Sequence, residues 1–168
     1  RYLAIVKADG YGHGAATVAG QLQKDGADWF GVATMEEALD LRRQGIYRPI
    51  LVLGYTDPAA APILASNTIT QTLFSEEYAL QLAAEAAKAG CVVDCHVKID
   101  TGMSRLGFDA ENENTVLMVE KLAQSGSLHI TGIFTHFAVA DEDTAVSIAF
   151  TERQFTLFMG VCNRLQAD

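Results

Sequence analysis

Two hydrophobic rhythms alternate along this chain. In the first, apolar residues follow one another without a break, as in Ile50-Leu51-Val52-Leu53. In the second, apolar positions recur three and four residues apart among polar ones. Runs of the first kind predict strands over 2–7, 29–33, 50–53, 69–72, 92–99 and 130–135. Stretches of the second kind predict helices over 13–24, 35–44, 58–65, 76–89, 113–125 and 144–165. Local signals support the helix ends. Thr34 stands ahead of Met35, Glu36 and Glu37, so a capping hydroxyl leads acidic residues at the positive end of a helix. Ser75 leads Glu76 and Glu77 in the same way, and Gly45 and Gly90 follow the last periodic residues, where a left-handed cap favours glycine.

The elements read as strand then helix, repeated about six times, with short connections and strands apolar on both faces. That order implies a parallel α/β sheet, either doubly wound or curled into a barrel. A closed (β/α)8 barrel needs eight units and about 250 residues, so six units make an incomplete TIM-type barrel. The chain opens at Arg1 with no methionine, in a strand-like run, and stops at Asp168 directly after a helix-like run. Both ends are therefore expected to be cut, with residues 1–168 forming one domain. This expectation favours the barrel over the doubly wound sheet.

Composition narrows the function classes. A hydrophobic content of 49% with 20% charged residues suits a folded core. The net charge of −9 argues against a nucleic-acid partner, although a small anion can still bind where local charge permits. Three cysteines, Cys91, Cys95 and Cys162, give no disulfide framework and fit a reducing, cytoplasmic setting. Cys91 and Cys95 are expected to be small core residues. No apolar run reaches the roughly 18 residues of a membrane span, and no signal-peptide pattern is present.

Three segments carry chemistry. From Ala4 to Gly14 (AIVKADGYGHG), a lysine closes an apolar strand ahead of a glycine-rich turn. Alternation puts Leu3, Ile5 and Lys7 on one face. If that face looks into a barrel, Lys7 emerges at the C-terminal rim, where barrel active sites sit. A desolvated lysine there favours the neutral amine that an aldehyde cofactor requires. A strand-end lysine reaching solvent is the plain alternative. The glycines do not match a dinucleotide or nucleoside-triphosphate motif. In the second segment, from His96 to Phe108, Asp94, His96, Lys98 and Asp100 share one strand face and Arg105 follows on the loop. A polar face on a buried strand means either an internal charge network or a pocket. Arg105 suits a phenolate or carboxylate. The third segment, Gly132 to Ala138, ends its strand at His136. The acidic run Asp141-Glu142-Asp143 lacks a ligand pattern and reads as solvated loop, so no metal site is expected.

Taken together these segments resemble the alanine racemase family, over the whole chain. The segment from Ala4 to Gly14 is similar to the family's pyridoxal-phosphate lysine signature, and Val97 to Gly107 to its second characteristic segment. Thr135 to Ala138 with Ala140-Asp141-Glu142 is similar to the third, and Gly31 to Ala38 also fits. The resemblance implies a barrel that binds pyridoxal 5'-phosphate, followed by a β-rich domain, in a head-to-tail homodimer. It implies that Lys7 carries the cofactor and serves as base on one face of the substrate Cα, with a tyrosine of the β-rich domain serving the other. It further implies that Tyr11 bonds the phosphate and Arg105 the phenolic oxygen. Lys98 aligns with a lysine that is carbamylated in many members, where the added carboxylate orients that arginine; His136 would support an arginine facing the pyridine nitrogen, and Met103 would place its backbone beside the substrate carboxylate. The implied reaction interconverts L- and D-alanine, with D-alanine going to peptidoglycan. A serine or broad-specificity racemase, or a non-catalytic single-barrel carrier of the cofactor, are the alternatives. Asp9 and Gly10 depart from the asparagine and alanine of many members. Because the second base lies outside this chain, the 168-residue piece is expected to be inactive alone.

Overall fold

The computed structural model describes residues 1–166. Six strands form one parallel sheet in chain order: β1 (Leu3–Ile5), β2 (Trp29–Val32), β3 (Ile50–Val52), β4 (Ile69–Leu73), β5 (Val93–Asp100) and β7 (Leu128–Phe134). A two-residue strand, β6 (Phe108–Asp109), adds to the C-terminal end of β5. Strictly sequential order decides between the two architectures left open by the sequence. A doubly wound sheet reverses direction at a switch point, whereas a barrel never does. The chain is an α/β fold, a partial TIM barrel.

Alternation along the strands separates two faces. Ala4, Val6, Phe30, Val32, Ile50, Val52, Val93, Cys95 and Val97 form one continuous core with the inward faces of the helices. These are α1 (Ala15–Lys24), α2 (Met35–Arg43), α3 (Ala61–Ser66, entered through a 3₁₀ turn at Pro58–Ala60), α4 (Glu76–Ala89), α5 (Thr115–Ala123) and α6 (Ala145–Gln166). From them Ala38, Leu41, Leu64, Leu82, Ala86, Val119 and Leu122 reach the sheet. The opposite face, with Leu3, Ile5, Leu51, Leu53, His96, Lys98 and Ile133, lines a cleft on the concave side. Cys95 is buried in the core and Cys91 packs at its edge.

Side-chain caps hold the helix ends as the sequence predicts. Thr34 Oγ1 accepts the Glu37 N–H at 3.3 Å and Ser75 Oγ the Tyr78 N–H at 3.2 Å. Gly90 closes α4 in the left-handed region (φ 66°), at no steric cost for a residue without a Cβ. At the N-terminal end of the sheet, the guanidinium of Arg42 donates to four carbonyls: Ile46 at 2.8 Å, Arg48 at 2.8 Å, Asn67 at 2.9 Å and Thr68 at 2.7 Å. One side chain thus fastens the end of α2 to the chain entering β3 and β4. Among the described residues, no helix is long and apolar enough to cross a membrane.

Two segments differ from the sequence expectation. The first strand ends at Ile5 rather than Lys7, because the chain turns left-handed at Ala8. The helix expected from His13 starts at Ala15, since Gly12 and Gly14 both have positive φ.

Candidate functional site

Each candidate side chain sits at or near the point where a strand gives way to a loop at the C-terminal end of the sheet. Lys7 follows β1 by two residues. After it the backbone makes a left-handed turn over Lys7–Tyr11, with φ of 51° at Ala8, 53° at Asp9, 62° at Gly10 and 56° at Tyr11. For residues bearing a Cβ that conformation costs about 1–2 kcal/mol each, so the turn must be held from outside. Several bonds hold it. Gly10 N–H reaches Val6 O at 2.9 Å, and Asp9 Oδ1 accepts the Ala15 N–H at 2.8 Å, docking the turn onto the start of α1. His13 Nδ1 lies 3.0 Å from Gly10 O. At Gly10 the penalty is absent, and a Cβ there would stand 3.3 Å from the Ala15 backbone.

The second loop leaves β5 at Asp100. Its carboxylate accepts the N–H groups of Gly102 at 2.9 Å and Ser104 at 3.1 Å, which shapes the backbone that presents Arg105. Lys98, on the concave face of β5, is only 4% exposed. Its ammonium donates to Ile99 O at 2.9 Å and lies 5.8 Å from the centre of the Phe134 ring. Burial lowers its pKa; Asp100 opposes that shift and Arg105 adds to it. His96, two residues earlier on the same face, packs against Trp29 with ring centres 5.0 Å apart and planes tilted by 42°, and burial lowers its pKa against the pull of Asp94.

The third loop leaves β7 and carries His136. Its pKa is lowered first by burial, then by the positive charges of Arg105, Lys98 and Lys7. A feature invisible to the sequence reading anchors this loop. Gln154 of α6 is fully buried and donates to Thr101 Oγ1 at 3.0 Å and His136 O at 3.2 Å, while its carbonyl accepts the Ala138 N–H at 2.9 Å. Thr135 completes the network, meeting Thr101 at 2.9 Å and Ile99 O at 2.9 Å. A lone glutamine inside a helical stretch gives no sequence signal for such a role.

The structure brings five of the six expected residues together. Lys7, Tyr11, Lys98, Arg105 and His136 line one cleft of about 460 Å³. Met103 lies on the Arg105 loop but is not part of the cleft lining. The acidic run stays in solvent, with Glu142 accepting a hydrogen bond from Ser147. The cleft has the size of a small-molecule site, with an apolar floor of Leu3, Ile5, Leu51 and Ile133 under a rim of cationic and ionisable groups. In a protein of net charge −9 such a concentration of positive groups suits a compact anion. A half-buried lysine amine beside it can act as nucleophile or as acid–base group.

Comparison with known proteins points to one family. Residues 1–168 match the family described as alanine racemase, N-terminal domain. The chain is 43% identical over 164 residues to the alanine racemase of Desulfovibrio desulfuricans, spanning 98% of this chain and 43% of that protein. With alanine racemase 1 of Oceanobacillus iheyensis it shares 40% over 168 residues, 100% of this chain and 44% of that one. Among solved structures, the alanine racemase of Clostridium difficile 630 matches with a TM-score of 0.87 at 37% identity, over 97% of this chain and 43% of that chain. The histidine racemase of Leuconostoc mesenteroides subsp. sake matches with a TM-score of 0.83 at 31% identity, over 92% and 42%. The chain spans less than half the length of these relatives.

Proposed function

The chain belongs to the alanine racemase family, and from that premise we propose that it is the N-terminal barrel portion of an amino-acid racemase that uses pyridoxal 5'-phosphate to interconvert L- and D-alanine. The observation that carries this reading is the convergence of Lys7, Tyr11, Lys98, Arg105 and His136 on one cleft at the C-terminal rim. The residues present fit the cofactor: a primary amine for its aldehyde, a tyrosine hydroxyl for its phosphate and an arginine fork for its phenolic oxygen. When bound, the cofactor supplies an electron sink for the pair left at the substrate Cα.

The chain's own residues do the rest. Lys7 would hold the cofactor through its amine; once the substrate amine takes its place there, the freed Lys7 amine would take the Cα proton on one face and return it in the reverse direction. Arg105 would hold the cofactor's phenolic oxygen and bring to it a fixed positive charge that tunes its electron demand. His136 would support an arginine facing the pyridine nitrogen, and partial desolvation together with the charges of Arg105, Lys98 and Lys7 disfavours its protonated form. Lys98 has its ammonium disfavoured by burial, and a neutral amine is the form that adds CO₂ with loss of one proton. Carbamylation would turn a cation into a carboxylate facing Arg105. Met103 offers its backbone to the substrate carboxylate. A base on the opposite face, a tyrosine of a β-rich domain reaching across a homodimer, completes inversion. The protein works in the cytoplasm, and the D-alanine it makes supplies peptidoglycan.

A second reading, racemisation of another amino acid, has one observation in its favour: the match to a histidine racemase at 31% identity. One experiment separates the readings. The full-length protein is incubated with pyridoxal phosphate, reduced with borohydride, mapped by peptide mass, and assayed with L-alanine, L-serine and L-histidine. Label at Lys7 with alanine fastest is the expected result. Label elsewhere overturns the site, and faster turnover of serine or histidine overturns the substrate. The 168-residue chain by itself is expected to show no turnover.

A further inference from the structure

We infer that Glu37 is a positioning residue that fixes the backbone from which Lys7 projects. The inference rests on reading Lys7 as the reactive amine. Glu37 is the third residue of α2, and the spacing from Thr34 is that of a capping box, in which the glutamate returns to the N–H of its own cap residue. Here it reaches further. Its Oε1 accepts the Ala8 N–H at 2.7 Å and its Oε2 accepts the Ala33 N–H at 2.7 Å. One carboxylate therefore joins the residue after Lys7 to the residue after β2.

The placement matters because of what flanks it. Val6 N–H makes the last ladder bond of the first strand, to Gly31 O at 2.9 Å. Ala8 is the first residue of the left-handed turn and lies beyond the ladder that pairs Leu3–Ile5 with β2, so its N–H needs another acceptor. Lys7 sits between these two bonds, and Glu37 supplies the second. The acceptor is charged and half-buried, and it lies at the positive end of α2, which strengthens both of its bonds. Without it the turn would lose the bond that ties Ala8 N–H to a different element. The amine at the end of a long side chain would then inherit the backbone displacement.

The full-length protein tests this with three forms: wild type, Glu37→Gln and Ser75→Ala. Glutamine keeps the shape but turns one acceptor into a donor facing an N–H. Ser75→Ala removes the cap of α4, remote from the site, and serves as a control for stability alone. Two readouts are taken at Lys7: trapping of pyridoxal phosphate by borohydride, and competitive acylation by acetic anhydride without cofactor. The expected result is a fall of about tenfold or more in both rates at Lys7 for Glu37→Gln. Ser75→Ala should stay within about twofold of wild type while lowering the melting temperature comparably. Equal rates in all three forms, or equal losses in both variants, would overturn the inference. If Glu37→Gln does not fold, Glu37→Asp replaces it; the shorter side chain cannot span both N–H groups, and the same criteria apply. Wild-type protein that takes no label from pyridoxal phosphate at Lys7 would sink the functional reading alone, because the acylation rates still judge Glu37.

Discussion

The two ends of the sheet treat their polar groups in opposite ways. At the N-terminal end, Arg42 spends its guanidinium on four backbone carbonyls, and Ser127 donates to Ala83 O at 2.8 Å. At the C-terminal end, the side chains of Lys7, Tyr11, Arg105 and His136 make no hydrogen bond among the described residues, although they share a cleft. Backbone groups at that end are nonetheless well held, by Glu37, Asp100 and Gln154. Chemistry is thus left open on a frame that is itself closed. In barrels of this kind the first end carries stability and the second carries reaction.

The contrast makes predictions that can break it. The largest effect belongs to Lys7→Arg in the full-length protein. Turnover should fall about 1000-fold, worth about 4 kcal/mol, with an unchanged melting temperature. A large melting shift would show that the rim also carries stability. Next comes Arg42→Met, which strands four carbonyls. Unfolding by urea should show a loss of about 3 kcal/mol, while turnover per folded molecule stays at the wild-type level. Gln154→Leu lies between the two ends in kind. It should cost about 2 kcal/mol and also reduce turnover, since it frees the His136 loop; stability loss with intact turnover would place Gln154 with Arg42. Ser75→Ala should cost about 1 kcal/mol with no kinetic change.

The smallest effect is pH dependence. Burial lowers the pKa of His96 from 6.5, and partial desolvation with the nearby charges of Arg105, Lys98 and Lys7 lowers that of His136. Below that value the unfolded chain takes up protons that the folded chain resists. Stability is therefore full above pH 6.5 and declines as the pH falls toward the folded-state values. His96 should dominate, because His136 is exposed. Melting temperatures at about pH 7.5 and about pH 5.5 check this: the difference should shrink in His96→Asn, and an unchanged difference would remove the assignment.

How much of this was legible in the sequence depended on whether a local rule covered the residue. Helix α4 matches its expected bounds because Ser75 and Gly90 mark both ends. The polar face of β5 was readable from strict alternation, and Lys98 is buried there as that pattern implied. Strand β7 begins at Leu128, two residues before the expected start, because Leu128 pairs with Val93 although Ser127 and His129 beside it are polar. The strand β6 was not foreseen, since two residues carry no period. The left-handed turn was equally hidden. Nothing in Ala8 or Tyr11 favours positive φ, and the conformation is imposed by bonds to Glu37 and α1 that lie far off in sequence. Glu37 itself was readable only as an acidic residue in a first helical turn.

That turn has a consequence for chemical synthesis of the protein. Ala8 has φ 51° and ψ 52°, the mirror image of the ordinary right-handed helical conformation. A D-alanine ligated into position 8 would adopt this backbone without the penalty that the natural L-residue bears. The stretch after Lys7 is therefore a place in this fold where the hand of the backbone already suits a residue of the opposite chirality.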